Sequence, residues 1–264
     1  MPEVPSAATT SPRPASAAHP DAATCAAAPL ELAVSTVVFS LRPHPDTGEL
    51  TLWLPLVRRI RAPFQGLWAL PGGPLETDQD LVSSARATLH QTTGLAPRHL
   101  EQLYAFGDVG RSPAPADTDT TAAPRVVSIV YWALVRQDED AAAVVGENVE
   151  WFPADDIAEE AGPLAFDHDV VLDYALRRLR AKVTYSPIAH AFLPEQFPLA
   201  DLRRVYEAIL GRALDPSNFR RQILAQGTVE DTGERMTGTA HRPPKLYRSN
   251  PHRSRYALTI EEPS

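Results

Sequence analysis

Leu67-Trp68-Ala69-Leu70-Pro71-Gly72-Gly73 leads through Pro74 to Asp80 into Leu81 to Thr92, and the run closes on Thr93-Gly94-Leu95. The reading of these residues decides the fold. Leu67 to Leu70 are apolar, the Pro-Gly-Gly breaks the run, and Leu81 to Thr92 reads as a helix. Gly94 stands where a helix ends in a left-handed cap. Upstream, Glu31 to Leu41 carries Val34, Thr36, Val38 and Phe39 in a β-branched apolar run that reads as a strand. His44-Pro45-Asp46-Thr47-Gly48 is a turn signal, and Leu50, Leu52, Leu54 and Leu56 alternate with period 2 after it, so the pair forms a hairpin. Downstream, Leu100 to Phe106 and Val126 to Val135 read as strands, the second continuous enough to be buried on both faces.

The flanks are different in kind. Residues 1–30 hold 10 Ala and 6 Pro and lack apolar periodicity, so they read as a disordered tail. Ser112 to Pro124, rich in Ala, Pro, Asp and Thr, reads as a flexible loop. No run approaches the ~18 apolar residues of a membrane span, and no secretory signal pattern opens the chain. One cysteine, Cys25, excludes an internal disulfide and a thiolate zinc site and suits the cytoplasm.

The C-terminal third reverses the charge of the chain. Residues 1–175 hold 10 Lys and Arg against 24 Asp and Glu, whereas residues 176–264 hold 15 against 9. Such a layout fits a chain whose tail end meets polyanions, and equally a solvated basic face. Asp167 to Arg180 reads as a helix with Val170, Val171, Tyr174 and Leu179 toward a core. After Pro187, the residues Leu199, Leu202, Val205, Tyr206, Ile209 and Leu210 recur at helical spacing and stop at Gly211. Asp215-Pro216 is an N-cap followed by the proline favoured at the first helical position, opening a helix with Phe219, Ile223 and Leu224 on its apolar side. Two short helices and a tight turn predict a helix-turn-helix. Thr228 to Arg248, with turn signals at Thr232-Gly233 and Arg242-Pro243-Pro244, predicts a β-hairpin wing.

The central stretch resembles the Nudix box, G-x5-E-x7-R-E-U-x-E-E-x-G-U with U aliphatic, entered through W-x-L-P-G-G. Begun at Gly73, the pattern places Leu89, Gly94 and Leu95 correctly. Its acidic positions are lost: Gln79 stands for the first Glu, Ala87-Thr88 for Arg-Glu and Gln91-Thr92 for Glu-Glu. Nudix hydrolysis needs those carboxylates to hold Mg²⁺ against the diphosphate, and neutral oxygens cannot supply the charge. Glu76 and Asp78 lie in the loop before the helix and do not replace them. The resemblance implies a Nudix-like α/β/α sandwich without its metal site. His168, in Phe166-Asp167-His168, reads as a packed or capping histidine.

A second resemblance covers about residues 31–248. The chain is similar to the Nudix-related transcriptional regulators of NAD metabolism, which join a Nudix-like sensor to a winged helix. It rests on Leu164-Ala165-Phe166-Asp167-His168, Lys182-Val183-Thr184-Tyr185-Ser186-Pro187, Phe192-Leu193-Pro194, Val205 to Gly211, Asn218-Phe219-Arg220, and Arg242-Pro243 with Leu246-Tyr247-Arg248. The fold expected is therefore α/β, a Nudix-like sandwich over 31–162, a connecting helix over 163–186 and a winged helix over 187–264.

Asn218, Arg220, Arg221 and Gln222 stand where a second helix presents side chains to the major groove. Arg203, Arg204, Arg242, Lys245 and Arg248 suit phosphate contacts, while Phe219, Tyr206 and Tyr247 fall on apolar stripes and read as core. The resemblance further implies that ADP-ribose or a related nucleotide acts as effector, with no cofactor required, and that Arg111 and Arg125 meet its diphosphate. The long Ser112–Pro124 stretch departs from the family pattern. The expected protein is a cytoplasmic homodimer on a palindromic double-stranded operator, without membrane. The alternatives are an ADP-ribose pyrophosphohydrolase with an appended helical domain, and a nucleotide-binding module whose basic end meets RNA or protein.

Overall fold

The computed structural model describes residues 30–97, 100–109, 111, 125–136, 148–237 and 243–250. The tail up to residue 29 and the loop 112–124 lie outside the described residues, as does Arg242. Strands β1 (Leu30–Pro43) and β2 (Leu50–Arg58) form the expected hairpin, with Ser40 opposite Trp53 and Pro43 opposite Leu50. β1 also runs parallel to β6 (Arg125–Val135), and β5 (Leu100–Phe106) closes that side antiparallel to β6. Two short strands, β3 (Trp68–Ala69) and β4 (Gly72–Pro74), and β7 (Val149–Pro153) complete a seven-stranded mixed sheet.

Alternation along β1 and β6 divides the core into two layers, because successive side chains of a strand leave by opposite faces. Val34 and Val38 of β1, with Tyr131 and Ala133 of β6, pack toward helix α1 (Leu81–Thr93) and its Ala85 and Leu89. Val37, Phe39 and Leu41, with Val130, Trp132 and Leu134, face the opposite layer. That layer holds the long helix α3 (His168–Tyr185), which follows the single-turn helix α2 (Ile157–Glu160). The helix begins where expected but runs five residues further than the spacing predicted. Its core face is Val171, Leu172, Ala175, Leu176, Leu179 and Val183. Val170 is 54% exposed, so its expected core placement is corrected. One residue is a rotation of about 100°, and apolar residues on both sides of the stripe hid the phase.

A 3₁₀ turn (Pro187–Phe192) and β8 (Phe197–Pro198) lead to α4 (Leu199–Leu210), α5 (Pro216–Gln226), β9 (Val229–Arg235) and β10 (Lys245–Ser249). The small strands pair in the order β8-β10-β9. α4 buries Leu202, Val205, Tyr206 and Ile209, and Gly211 ends it with φ 66°. The Asp215 carboxylate accepts a 2.7 Å bond from Asn218 N, the N-cap read from the sequence; such a cap is worth about 1 kcal/mol. Phe219 and Ile223 are buried, and Tyr206 meets Phe219 edge-on at 5.3 Å. Leu224 is 41% exposed and does not join them. Thr232-Gly233 lies inside β9 rather than in the turn. Gly233 adopts φ 78°, and the register between β9 and β10 shifts there, so the pair marks a bulge. A single apolar cluster runs from the sheet through α3 into α4, Phe219 and Tyr247.

Candidate functional site: a nucleotide-sized cavity joined to a basic winged helix

The Pro-Gly-Gly turn builds one wall of the cavity. Thr36 N donates to Pro71 O at 2.8 Å, and β4 then pairs antiparallel with β1, Ser35 opposite Gly72. A β-carbon on Gly72 would come within 2.7 Å of both Ser35 Oγ and Val34 O, so only glycine allows this approach. Between β4, the starts of β1 and β6, and the loop before α3 lies a cavity of about 450 Å³, the size of a small-molecule site. Leu32, Leu70, Val126 and Phe166 make its wall apolar, and Arg59, Arg111 and Glu31 bring charge to it.

The two cations differ. Arg111 is 7% exposed and already engaged: Nε and Nη2 donate to both oxygens of Asp167 at 2.9 and 2.6 Å, and Nη1 to Phe106 O. Arg59 lies 4.6 Å from the Phe166 ring and donates from Nε to Pro63 O at 2.8 Å. No carboxylate among the described residues pairs with it, and burial lowers its pKa. A partly desolvated, unpaired guanidinium in an apolar cavity attracts an anion. The sequence reading missed Arg59, since it lies outside any motif and only the loop after β2 brings it here. Arg125 is exposed, donates to Gly107 O at 2.7 Å and does not line the cavity. Phe64 and Phe166 flank the rim with φ 63° and 59°, left-handed values rare for aromatic residues, and meet edge-on at 4.9 Å. His168 is buried, and its Nδ1 accepts from Leu70 N at 3.0 Å, so the ring is the packed group expected. Burial is the largest influence on it and lowers its pKa to about 4.

The Nudix metal does not fit. The box positions on α1 are Ala87, Thr88, Gln91 and Thr92, and the Thr92 hydroxyl is spent on the Thr88 carbonyl at 2.7 Å. No cluster of three or more His, Cys, Asp or Glu suited to a metal occurs among the described residues. Neutral amide and hydroxyl oxygens are poor holders of Mg²⁺.

On the winged helix, Arg220 and Arg221 are exposed on α5 and Gln222 is half-buried. Arg220 Nη2 stands 3.5 Å from the Tyr247 hydroxyl, which sets α5 beside β10, and Arg221 donates to Asn218 Oδ1 at 2.7 Å. Lys245 pairs with Asp231 and holds that carboxylate below its usual range, and Arg248 pairs with Glu230. Arg203 turns inward instead: it pairs with Glu207, which accepts from Leu214 N at 2.8 Å, so the two brace the helix-turn-helix corner. Arg204 is exposed and 3.5 Å from Asp201. Both arginines line a wider groove of about 1470 Å³ between α4 and the β1–β2 turn, where Asp155, Asp201 and Glu207 balance their charge.

The fold and site together define a Nudix domain joined to a winged-helix DNA-binding domain. The Nudix domain family matches residues 34–175, and the NrtR DNA-binding winged helix domain matches residues 189–249. The chain belongs to the NrtR family. It is 32% identical over 220 residues to the ADPR responsive transcriptional repressor NtrR of Acinetobacter baylyi, spanning 82% of this chain and 81% of that one. The crystal structure of Shewanella oneidensis NrtR complexed with a 27-mer DNA matches with 32% identity and a TM-score of 0.66, over 86% of this chain and 97% of that one. An ADP-ribose pyrophosphatase of Methanocaldococcus jannaschii is 28% identical over 120 residues, 45% of this chain and 63% of its own.

Proposed function

We propose that this protein is a cytoplasmic transcriptional repressor that binds operator DNA through its winged helix and changes its affinity when ADP-ribose, or a closely related NAD-derived nucleotide, enters the Nudix cavity. The observation that carries the reading is Arg59, which lines the cavity with no carboxylate partner among the described residues, in a Nudix frame that lacks its metal-holding carboxylates. Such a site binds a diphosphate without cleaving it. The relatedness to an ADPR responsive repressor over 82% of this chain and 81% of that one supports this over the pyrophosphatase alternative. In a single experiment, ADP-ribose is titrated calorimetrically with Mg²⁺ present and AMP is assayed afterwards. Saturable binding without AMP above a buffer control is expected; turnover on the order of 1 s⁻¹ or more, an ordinary enzyme rate, overturns the reading. Arg59→Ala removes a charge-assisted contact worth about 1.5–3 kcal/mol and should weaken binding at least roughly tenfold.

In this reading Asn218, Arg220, Arg221 and Gln222 contact bases, and Lys245, Arg248 and Arg204 contact phosphates, on a near-palindromic operator bound by a homodimer. Arg203 contributes by bracing the corner. Arg220→Ala should cost roughly 1–3 kcal/mol on the operator and relax discrimination at one base step. Lys245→Ala should weaken specific and random duplexes alike and lower the salt slope by about one. Fluorescence anisotropy over a salt series separates the two. Equal losses on operator and random DNA for Arg220→Ala would reduce that residue to a phosphate contact.

A further inference from the structure

The structure carries a second consequence in the unequal treatment of its acidic helix caps. Asp80 and Asp215 both adopt extended ψ values, 165° and 122°, and each carboxylate caps its helix, at 2.8 Å and 2.7 Å. Asp167 occupies the same position before α3 but sits at ψ 31° and makes no capping bond; Asp156, before the single-turn α2, makes none either at ψ 15°, and what distinguishes Asp167 is its arginine partner. Its two oxygens are committed to Arg111. The residue before it, Phe166, is held at φ 59° and forms part of the cavity wall. Asp167 therefore has two partners to choose between: the cavity arginine 56 residues away, or the free N–H groups of its own helix.

We infer that Asp167 is a built-in competitor for the ligand anion, and that its displacement from Arg111 is the event that transmits occupancy of the cavity to the winged helix. This rests on the cavity being the nucleotide site. An entering diphosphate meets a guanidinium whose charge is already paired and two of whose N–H groups are held by a carboxylate, and two anions repel when they share one cation. The ligand takes Arg111, Asp167 turns to cap α3, and the strained Phe166–Asp167 backbone relaxes toward the extended cap geometry. The far end of α3 is already fastened to both parts of the molecule. Arg180 holds Asp155 at 2.6 Å and the Ile209 carbonyl of α4 at 2.9 Å. A change at the base of this 18-residue helix is thereby delivered at the helix-turn-helix.

Asp167→Asn tests this. The amide keeps the shape and the capping oxygen but removes the competing charge, so ADP-ribose should bind about tenfold tighter than to the unmodified protein, while Asp167→Glu restores the competition. In the unmodified protein, hydrogen exchange at the amides of Asp169 and Val170 should slow when ADP-ribose is added, because the cap forms; this readout does not depend on any variant folding. Unmodified protein that binds no ADP-ribose defeats the assignment of the cavity itself. If the unmodified protein binds but Asp167→Asn binds no tighter, or exchange at those amides is unchanged by ligand, the cavity stands and the competitor role is overturned.

Discussion

Acidification from about pH 7 to about pH 5 should remove on the order of 4 kcal/mol of folding stability through two histidines alone. His168 and His190 both have pKa values lowered to about 4 from 6.5 by burial. The His190 ring is partly exposed, yet its Nε2 is enclosed without a hydrogen-bond partner among the described residues, and its Nδ1 lies 2.8 Å from Ser249 Oγ on β10. In the unfolded chain both rings take up a proton near pH 6.5; in the native chain they resist until about pH 4. Between those values the unfolded state binds more protons, so stability is complete above pH 6.5 and falls as pH falls toward 4. The loss by pH 5 is about 2 kcal/mol for each ring. Urea unfolding across this range should show the midpoint falling steeply, and His190→Gln should flatten about half of the dependence. A midpoint constant from pH 7 to pH 5 contradicts both assignments. In the folded chain both rings, one beside the cavity and one packed near β10, stay neutral over this range, so ligand and DNA affinity should fall only where the protein itself begins to unfold.

Phe219→Ala should destabilise the protein by roughly 3–5 kcal/mol, the cost of a large core cavity. The ring is 5% exposed and touches Tyr206 edge-on, and it anchors α5 to α4. Without it the basic residues of α5 lose their fixed orientation, so specific operator binding should vanish while ADP-ribose binding persists. Leu224→Ala, one turn further on the same helix, should change stability by no more than about 0.5 kcal/mol because that side chain is largely solvated. Thermal melts of the two variants beside the unmodified chain decide the matter; equal melting points would mean that Phe219 does not hold the helix.

Those neighbouring leucine and phenylalanine positions show where reading a sequence succeeds and where it stops. The β-branched apolar run of Glu31 to Leu41, the alternation of Leu50 to Leu56 and the continuous apolar run of Val126 to Val135 are local properties of extended chain, and they named the strands; which layer each face of β1 and β6 meets came only from packing. The caps at Gly94, Gly211 and Asp215 are equally local, since each depends on one residue's backbone freedom or one short side chain. The loss of the Nudix carboxylates at Gln79, Ala87, Thr88, Gln91 and Thr92 is a matter of residue chemistry and needs no coordinates. The phase of α3 was not legible, because apolar residues flank the stripe on both sides and only packing against the sheet selects Leu172 over Val170. Neither were the partners of the cations. Arg111 and Asp167 lie 56 residues apart, Arg203 turns toward Glu207 only because the Leu214 corner folds over it, and Arg59 enters the cavity on a loop with no sequence signature. Charge attracts through space rather than along the chain. The sequence by itself determined the fold class, the two-part organisation and the loss of the Nudix-box carboxylates, while the tertiary structure alone decided that Arg111 is held by Asp167 and that Arg59 lines the same cavity without a carboxylate partner among the described residues.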